Sequence, residues 1–559
     1  MKIFALTYNE LIKQLKGKGT RLILALLVIF AVILPIGFSL IPESSFSNYQ
    51  TQSNEVYLQE AKDTVTALEN KTSDEDKIKL IIAKGDYEYY LLNNEAKVGF
   101  NEKYGYNEWR EDVSREFKRK YIEAEAVKLI MAGMPKDVLM DKIYNVDPAI
   151  LNKAYESTKA EQEKILAELE VEKEAYRSIV IEEDYLTYLE KNMAYYSEII
   201  ASRQKEIDTL KKDLAKDPKN EQILAQIDNL EADIAREQAV LAVKQYRYDN
   251  KIDFSVTNWK NKTLKTIEDA TYEKYTKALS EDEYKRQASL EGSTITFDQY
   301  QEIYKNNQIE LENKINQNWY SLEKNLPQLQ YVTDARTVMN TVSNIFMIAA
   351  GVVIIILGGG IVSNEFSTGT IRLLLIRPVS RVKVLISKLL SLLIFGYGIV
   401  IVTTLISLVS SGAVYGFDTL GIPVLEVING AVTEQNFIMV LVNNMAVASL
   451  SLVFVIGLVF SLSTLTKNTA IAVALSIVVY LGAMPLTVMI AESFKGIGNT
   501  FIPFINQPML NLNAESLEMM KSQSGVTLNS GMGLTQLMII AAVLVGLSFV
   551  MFTKKDVQN

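Results

Sequence analysis

Residues 337–364 read TVMNTVSNIFMIAAGVVIIILGGGIVSN, an interval with no charged side chain, bounded by Arg336 and Glu365. About 20 apolar residues cross a hydrocarbon core roughly 30 Å thick at about 1.5 Å per residue, so this interval can span a bilayer. Outward from it in both directions lie five more uncharged stretches of that kind. One runs from Leu22 to Ile41, and one follows Lys388 and reaches about Ser411. Two more lie between Glu434 and Lys467 and between Lys467 and Glu492, and the last ends before Lys554. A cleavable signal peptide is the rival reading of the first stretch. Its apolar run is too long for a usual signal core, and no small-x-small site follows Pro42. The expected fold is all-α: a polytopic membrane protein with six transmembrane helices.

The chain has 559 residues, 48% apolar and 22% charged, but these averages hide two populations. Residues 42–336 hold 57 of the 66 acidic residues and 42 of the 57 basic ones. The flanks carry few charges and are net positive, so a polar, acidic insert sits between membrane-seeking ends. An acidic block argues against nucleic acid as a partner, because phosphate neutralisation needs clustered Lys/Arg. Cysteine and histidine are absent. That removes disulfides, thiolate or imidazole metal sites, Cys or Ser–His nucleophiles and imidazole switches.

Orientation follows from the short-loop cations, which are retained on the cytoplasmic side. Lys13, Lys16, Lys18 and Arg21 precede the first span; Arg372, Arg377, Arg381, Lys383 and Lys388 lie between the second and third; Lys467 separates the fourth and fifth; Lys554 and Lys555 follow the sixth. With six spans all four groups fall on one side. Both termini are then cytoplasmic and 42–336 is extracytoplasmic; the chain's rich Lys/Ile/Asn/Tyr usage points to a bacterial plasma membrane. Phe4, Tyr8, Leu11 and Leu15 share a helical face, so residues 1–20 are expected as a cytoplasmic amphipathic interfacial helix, followed by the first span over 21–41. The span interiors carry no Asp, Glu, Lys or Arg, which argues against ion coupling. Asn443, Asn444 and Ser407 are the candidate substrate-lining groups; the rival reading is that such amides and hydroxyls bond neighbouring helices.

In the insert, Leu186, Leu189, Met193, Tyr196, Ile200, Arg203, Ile207, Leu210 and Leu214 alternate in steps of three and four. Asp217-Pro218 breaks the helix. Ile223, Ile227, Leu230, Ile234 and Leu241 then resume the spacing. Two such helices bury their stripes as an antiparallel coiled-coil hairpin. The insert's ends, with Leu58, Ala61, Val65 and Leu68 at one and Leu311, Ile315, Trp319, Leu322 and Leu326 at the other, are expected to pair as a stalk. The arrangement of 70–150 and 250–300 does not follow from the pattern.

No stretch matches G-x-x-x-x-G-K-[ST], and no catalytic constellation sits near a membrane face, so no enzymatic centre is expected in this chain. The distinctive stretch is Asn364-Glu365-Phe366-Ser367-Thr368-Gly369-Thr370-Ile371-Arg372, then Arg377-Pro378-Val379-Ser380-Arg381 and Lys388. Glu365, a break at Gly369 and the cations after it make a short, charged, kinked element suited to interlocking with a partner surface.

Glu-x-x-x-Gly-Thr followed by Arg-Pro-x-Ser-Arg and a Lys entering the next span resembles the ABC type-2 permease family, in the subset with a large extracytoplasmic insertion between the first two spans. The resemblance covers the N-terminal segment and 337–559. It implies a homodimer or pseudo-dimer of six-span subunits in membrane lipid. Each would dock a separate ABC ATPase, which binds the ATP and Mg, while this chain binds no cofactor. It places a coupling segment at 364–384, with Glu365, Gly369, Thr370, Arg372, Arg377 and Arg381 as contact residues. It also places re-entrant outer helices within 492–521. The implied function is export of a hydrophobic or amphipathic substrate such as a lipid, an antimicrobial peptide or a polymer. The alternative is a surface-exposed scaffold or receptor of a bacterial secretion system built on a permease-like framework.

Overall fold

The computed structural model describes residues 2–40, 51–99, 103–105, 108–291, 296–370, 380–493 and 530–554. The chain divides into two compact units: Pro42–Glu291 with Thr296–Pro327, and Met1–Ile41 with Gly292–Ile295 and Gln328–Asn559.

The membrane-type unit begins with α1 (Lys2–Lys16) and α2 (Lys18–Ser39), joined at Gly17, whose extended ψ of 127° lets the chain change direction. The insert unit contributes α3 (Thr51–Leu68), α4 (Asp74–Glu95), α5 (Trp109–Met131), α6 (Lys136–Lys142), α7 (Pro148–Glu156) and α8 (Lys159–Glu182). It continues with α9 (Tyr185–Leu214), α10 (Glu221–Asp249), α11 (Trp259–Lys274), α12 (Glu281–Glu291) and α13 (Phe297–Lys324). Starts and stops follow local chemistry. Thr158 and Glu161 close a capping box on α8, and Asn220 caps α10 by accepting from the Ile223 amide.

Helices α9 and α10 lie against each other around Ile207, Ile227 and Ile234, with Ile200, Leu210, Leu214, Ile223 and Leu230 packed beside them. Polar contacts flank the seam. Arg203, the polar member of the heptad, donates to Glu237 at 2.9 Å, and Lys211 pairs with Glu231 at 3.0 Å, so partners follow in opposite chain order. The expected stalk does not form as read. α3 packs chiefly on α4, and α13 packs on α11, with Ile315, Trp319 and Leu322 against Leu264 and Ile267. A stripe says that a face is buried, not by what. The segment without a clean period, 70–150, supplied the partner for α3.

The membrane-type unit resumes with α14 (Ala335–Gly359), α15 (Ser363–Ser367) and α16 (Arg381–Tyr415), then α17 (Phe437–Ala448), α18 (Leu450–Thr466), α19 (Thr469–Ser493) and α20 (Ser530–Lys554). Among the described residues five helical stretches are long and apolar enough to cross a membrane: Lys18–Ser39, Ala335–Ser367, Arg381–Tyr415, Phe437–Thr466 and Thr535–Thr553. The expected fifth span coincides with α19, a 25-residue helix whose described side chains end at Gly482. The segment read as re-entrant, 492–521, falls outside the described residues apart from the last turn of α19. α14 is central: Phe346, Ile354 and Ile355 are buried among Leu392, Val455, Val459 and Tyr480 from its neighbours. A Cβ added at Gly359 would stand 2.3 Å from a Val473 methyl, so glycine is what lets α14 and α19 approach.

One element corrects the all-α expectation. Between α16 and α17, Val424–Ile428 (β1) and Ala431–Gln435 (β2) pair antiparallel. The turn between them is Asn429-Gly430, at φ of 52° and 79°. Two successive positive φ values define the tight turn that suits a hairpin's twist, and Asn-Gly tolerates them best.

Candidate functional site

The sequence motif lies where α14 ends. Gly358 to Gly360 carry the chain out of that helix, and hydroxyls at the end of α18 and the start of α19 catch the turn. The Val362 and Ser363 amides donate to Ser463 Oγ at 3.3 and 3.1 Å, and the same hydroxyl donates to the Gly359 carbonyl at 2.8 Å. Ser363 Oγ lies 2.7 Å from Thr469 Oγ1, which donates to Asn364 Oδ1 at 2.8 Å. This satisfies buried backbone groups that a broken helix leaves open.

One turn later, Glu365 points inward and is 4% exposed. Lys388 of α16, 1% exposed, donates to its Oε1 at 2.6 Å and also lies 3.3 Å from Glu10 Oε1 of α1. Lys13 of α1 donates to the same Glu365 oxygen at 3.3 Å from a side chain that is 65% exposed. Two carboxylates and two ammonium groups thus balance. Gln14 adds a bond to Ser391 Oγ at 3.1 Å. α1, α15 and α16 are pinned together by this cluster. Glu365 Oε2 is buried without a hydrogen-bond partner. The Lys388 pair is strongly desolvated, so losing one member costs about 3–5 kcal/mol, whereas the exposed Lys13 contact contributes under about 1 kcal/mol.

Beyond Glu365 the chain turns outward. Ser367, Thr368, Gly369 and Thr370 are exposed, with Gly369 at φ +69° and the two threonine hydroxyls 2.9 Å apart. Beside them, Lys467 at the α18 end stands 4.8 Å over the Phe366 ring, and Phe552 of α20 meets the same ring edge-on at 6.2 Å. The result is an exposed polar tip whose base is bonded to α1, α16 and α18.

The sequence-assigned residues therefore divide. Gly369 and Thr370 form the exposed tip, and Glu365 holds its base. Arg381 opens α16 half-buried, and Arg372 and Arg377 lie outside the described residues. Ser407 is fully buried and donates to the Ala31 carbonyl of α2 at 3.1 Å, a helix-to-helix bond. Asn443 is exposed and Asn444 half-buried on α17, away from this cluster in the chain. Glu10, Lys13, Ser463 and Thr469 were not singled out as site residues. The signal for Glu10 was present: it is the one acidic residue among the first 41.

A family model described as ABC-2 family transporter protein matches residues 5–557. An uncharacterised protein of Bacillus subtilis (strain 168), YhcI, is 31% identical over 256 residues, which cover 43% of this chain and 75% of YhcI. No solved structure matches the chain significantly.

Proposed function

The chain belongs to the ABC-2 transporter family, and from that premise we propose that it is the membrane subunit of an ATP-driven exporter whose ATPase is a separate chain. The observation that carries the reading is the exposed Ser367–Thr370 tip anchored by the buried Glu365–Lys388 pair. A partner that pushes the tip moves α15, and through Lys388, Glu10 and Ser463 it moves α16, α1 and α18 together. ATP and Mg bind in the partner, and its closure shifts the population of bundle conformations by binding one of them more tightly. The bundle has six spans with α19 as the fifth, both termini are cytoplasmic, and two subunits associate. The acidic insert with its α9–α10 antiparallel coiled-coil hairpin is extracytoplasmic, and the substrate moved is hydrophobic or amphipathic.

The test is co-purification of the full chain in mild detergent, with ATPase measurement and mass spectrometry of what comes with it. A nucleotide-hydrolysing partner should be recovered and should be lost on Thr370→Trp with Ser367→Trp, which crowd the tip. Recovery of small secreted helical proteins and no ATPase would instead favour the scaffold reading.

A further inference from the structure

The insert unit carries a cavity that its packing leaves open. Helices α3 and α4 run antiparallel across the short connection 69–73, and Tyr57 stacks on Tyr90 with ring centroids 5.6 Å apart, which holds the pair together at one end. Beyond the stack, Ala61 and Thr64 of α3 and Ala83 of α4 line the gap between the helices, and residues this small do not fill it. α6 supplies a third wall: Leu139 is buried in one cluster with Ile78, while Lys142 at the end of α6 and Tyr144 just after it border the space. The result is a half-open cavity of about 430 Å³. That lies toward the lower end of the range for small-molecule sites, about 300–1,000 Å³.

The floor is aliphatic. Ile78 is fully buried, Ile82, Ala83 and Ala61 are at most 8% exposed, and the one ring in the lining is that of Tyr144, 58% exposed at the rim. Such a floor offers nothing for a ring to stack on and suits a flexible hydrocarbon chain. The charges stand around it. Asp86 is engaged by Lys118. Glu75 and Lys79 pair at 2.8 Å, and Lys142 stands on their side of the cavity: Lys79 first, and then the Lys142 charge, hold Glu75 below the usual carboxylate range. The ion-pair contact of Lys142 is Asp141 at 3.7 Å, a solvent-open contact that contributes little. One lining carboxylate thus faces two ammonium groups, and positive charge is left over at the mouth of an apolar slot.

We propose that this cavity binds a single-chain amphiphile with an acid head group, its chain lying on Ile78 and Ile82 between α3 and α4 and its head meeting Lys142. The acid takes up the charge that Asp141 leaves largely uncompensated, and burial of the chain on the aliphatic floor supplies the rest. As a capture site for an amphipathic substrate it rests on the exporter reading. As a binding site it does not, and its test needs no ATPase, so the two fail separately.

The probe is dodecyl phosphate carrying a diazirine at the chain end, photolysed with the full chain in phosphatidylcholine nanodiscs, with adducts mapped by mass spectrometry. Adducts should concentrate on peptides spanning 61–68 and 78–83, above the level on α11 and α13. Excess dodecyl phosphate or dodecanoate should remove them at concentrations several-fold lower than dodecyltrimethylammonium does. Thr64 is exposed, so Thr64→Phe can fill the cavity without disturbing the core; it should abolish these adducts and leave those on the spanning helices unchanged. Lys142→Glu should reverse the order of the competitors. Adducts on 61–83 no more frequent than on α11, or undiminished in Thr64→Phe, overturn the site. Equal competition by the cation, or an order that Lys142→Glu leaves unchanged, overturns the acid head.

Discussion

Lys388 is 1% exposed and lies between two carboxylates, at 2.6 Å from Glu365 and 3.3 Å from Glu10. Lys388→Met leaves Glu10 and Glu365 facing each other without their shared cation. It should lower stability by about 3–5 kcal/mol, seen as a large fall in thermal unfolding temperature in detergent. Lys388→Met with Glu365→Gln removes both charges of the closest pair and should recover most of the loss; if the double variant is no better than the single, the pair is not what holds α15 to α16. A second residue-scale test concerns a carbonyl rather than a charge. Pro35 inside α2 has no N–H to give the Ala31 carbonyl, and Ser407 of α16 donates to that oxygen instead, with Ser410 on Val32 at 2.8 Å and Tyr415 on Pro35 at 3.2 Å. Ser407→Ala should cost about 1 kcal/mol in the wild-type background. In a Pro35→Ala background, where the helix supplies its own N–H, it should cost close to nothing. A coupling energy near zero in that double-mutant cycle sinks the account.

At the scale of elements, close approach of α14 to its neighbours is what gathers the tip's supports. Gly359→Ala places a methyl 2.3 Å from a Val473 methyl, and overpacking of that kind costs about 1–3 kcal/mol. Val473→Ala should restore the double variant to near the stability of Val473→Ala alone, measured by thermal unfolding. The uncharged runs and the heptad residues of α9 and α10 could be read from residue type alone, because burial in lipid or in a seam needs only apolar side chains at the right spacing. The partners of α3 and α13 could not, since an apolar stripe is indifferent to which stripe covers it. Glu365 illustrates the same gap in the site: its position in the motif was visible, but its inward orientation depends on Lys388, 23 residues later on α16, and on Glu10, far earlier in the chain on α1. The hairpin at 424–435 was legible in principle. Its Asn429-Gly430 turn signal is of the kind that marks a tight hairpin, and a reading built on uncharged spans and cations does not use it.

For the molecule as a whole, charge is so unevenly shared that pH should act on one unit before the other. Residues 42–336 hold 57 of the 66 acidic residues, many of them in ion-pair networks. Glu183, at the end of α8, is representative. Burial works against its ionised form, but hydrogen bonds from Lys103 at 2.6 Å and Tyr104 at 2.9 Å, with the Arg110 charge beside it, hold its carboxyl below the usual range. The same hydrogen bond raises Lys103 to about 12. A carboxyl whose folded pKa is depressed stabilises the fold above its unfolded pKa of about 4.3, and that contribution is lost as pH falls through the folded value. An amine whose pKa is raised stabilises below about 10.4 and loses the contribution as pH rises toward 12. The insert should therefore be most stable between those limits and lose protection on both sides. Hydrogen exchange resolved by segment and corrected for intrinsic rates should show α5, α8 and α9 opening in acid while α14, α16 and α18, nearly free of carboxylates, stay protected. Glu183→Gln should flatten both limbs of the curve, because the acid limb loses its titrating group and the alkaline limb loses the partner that raises Lys103. An unchanged alkaline limb in that variant would place the Lys103 contribution elsewhere.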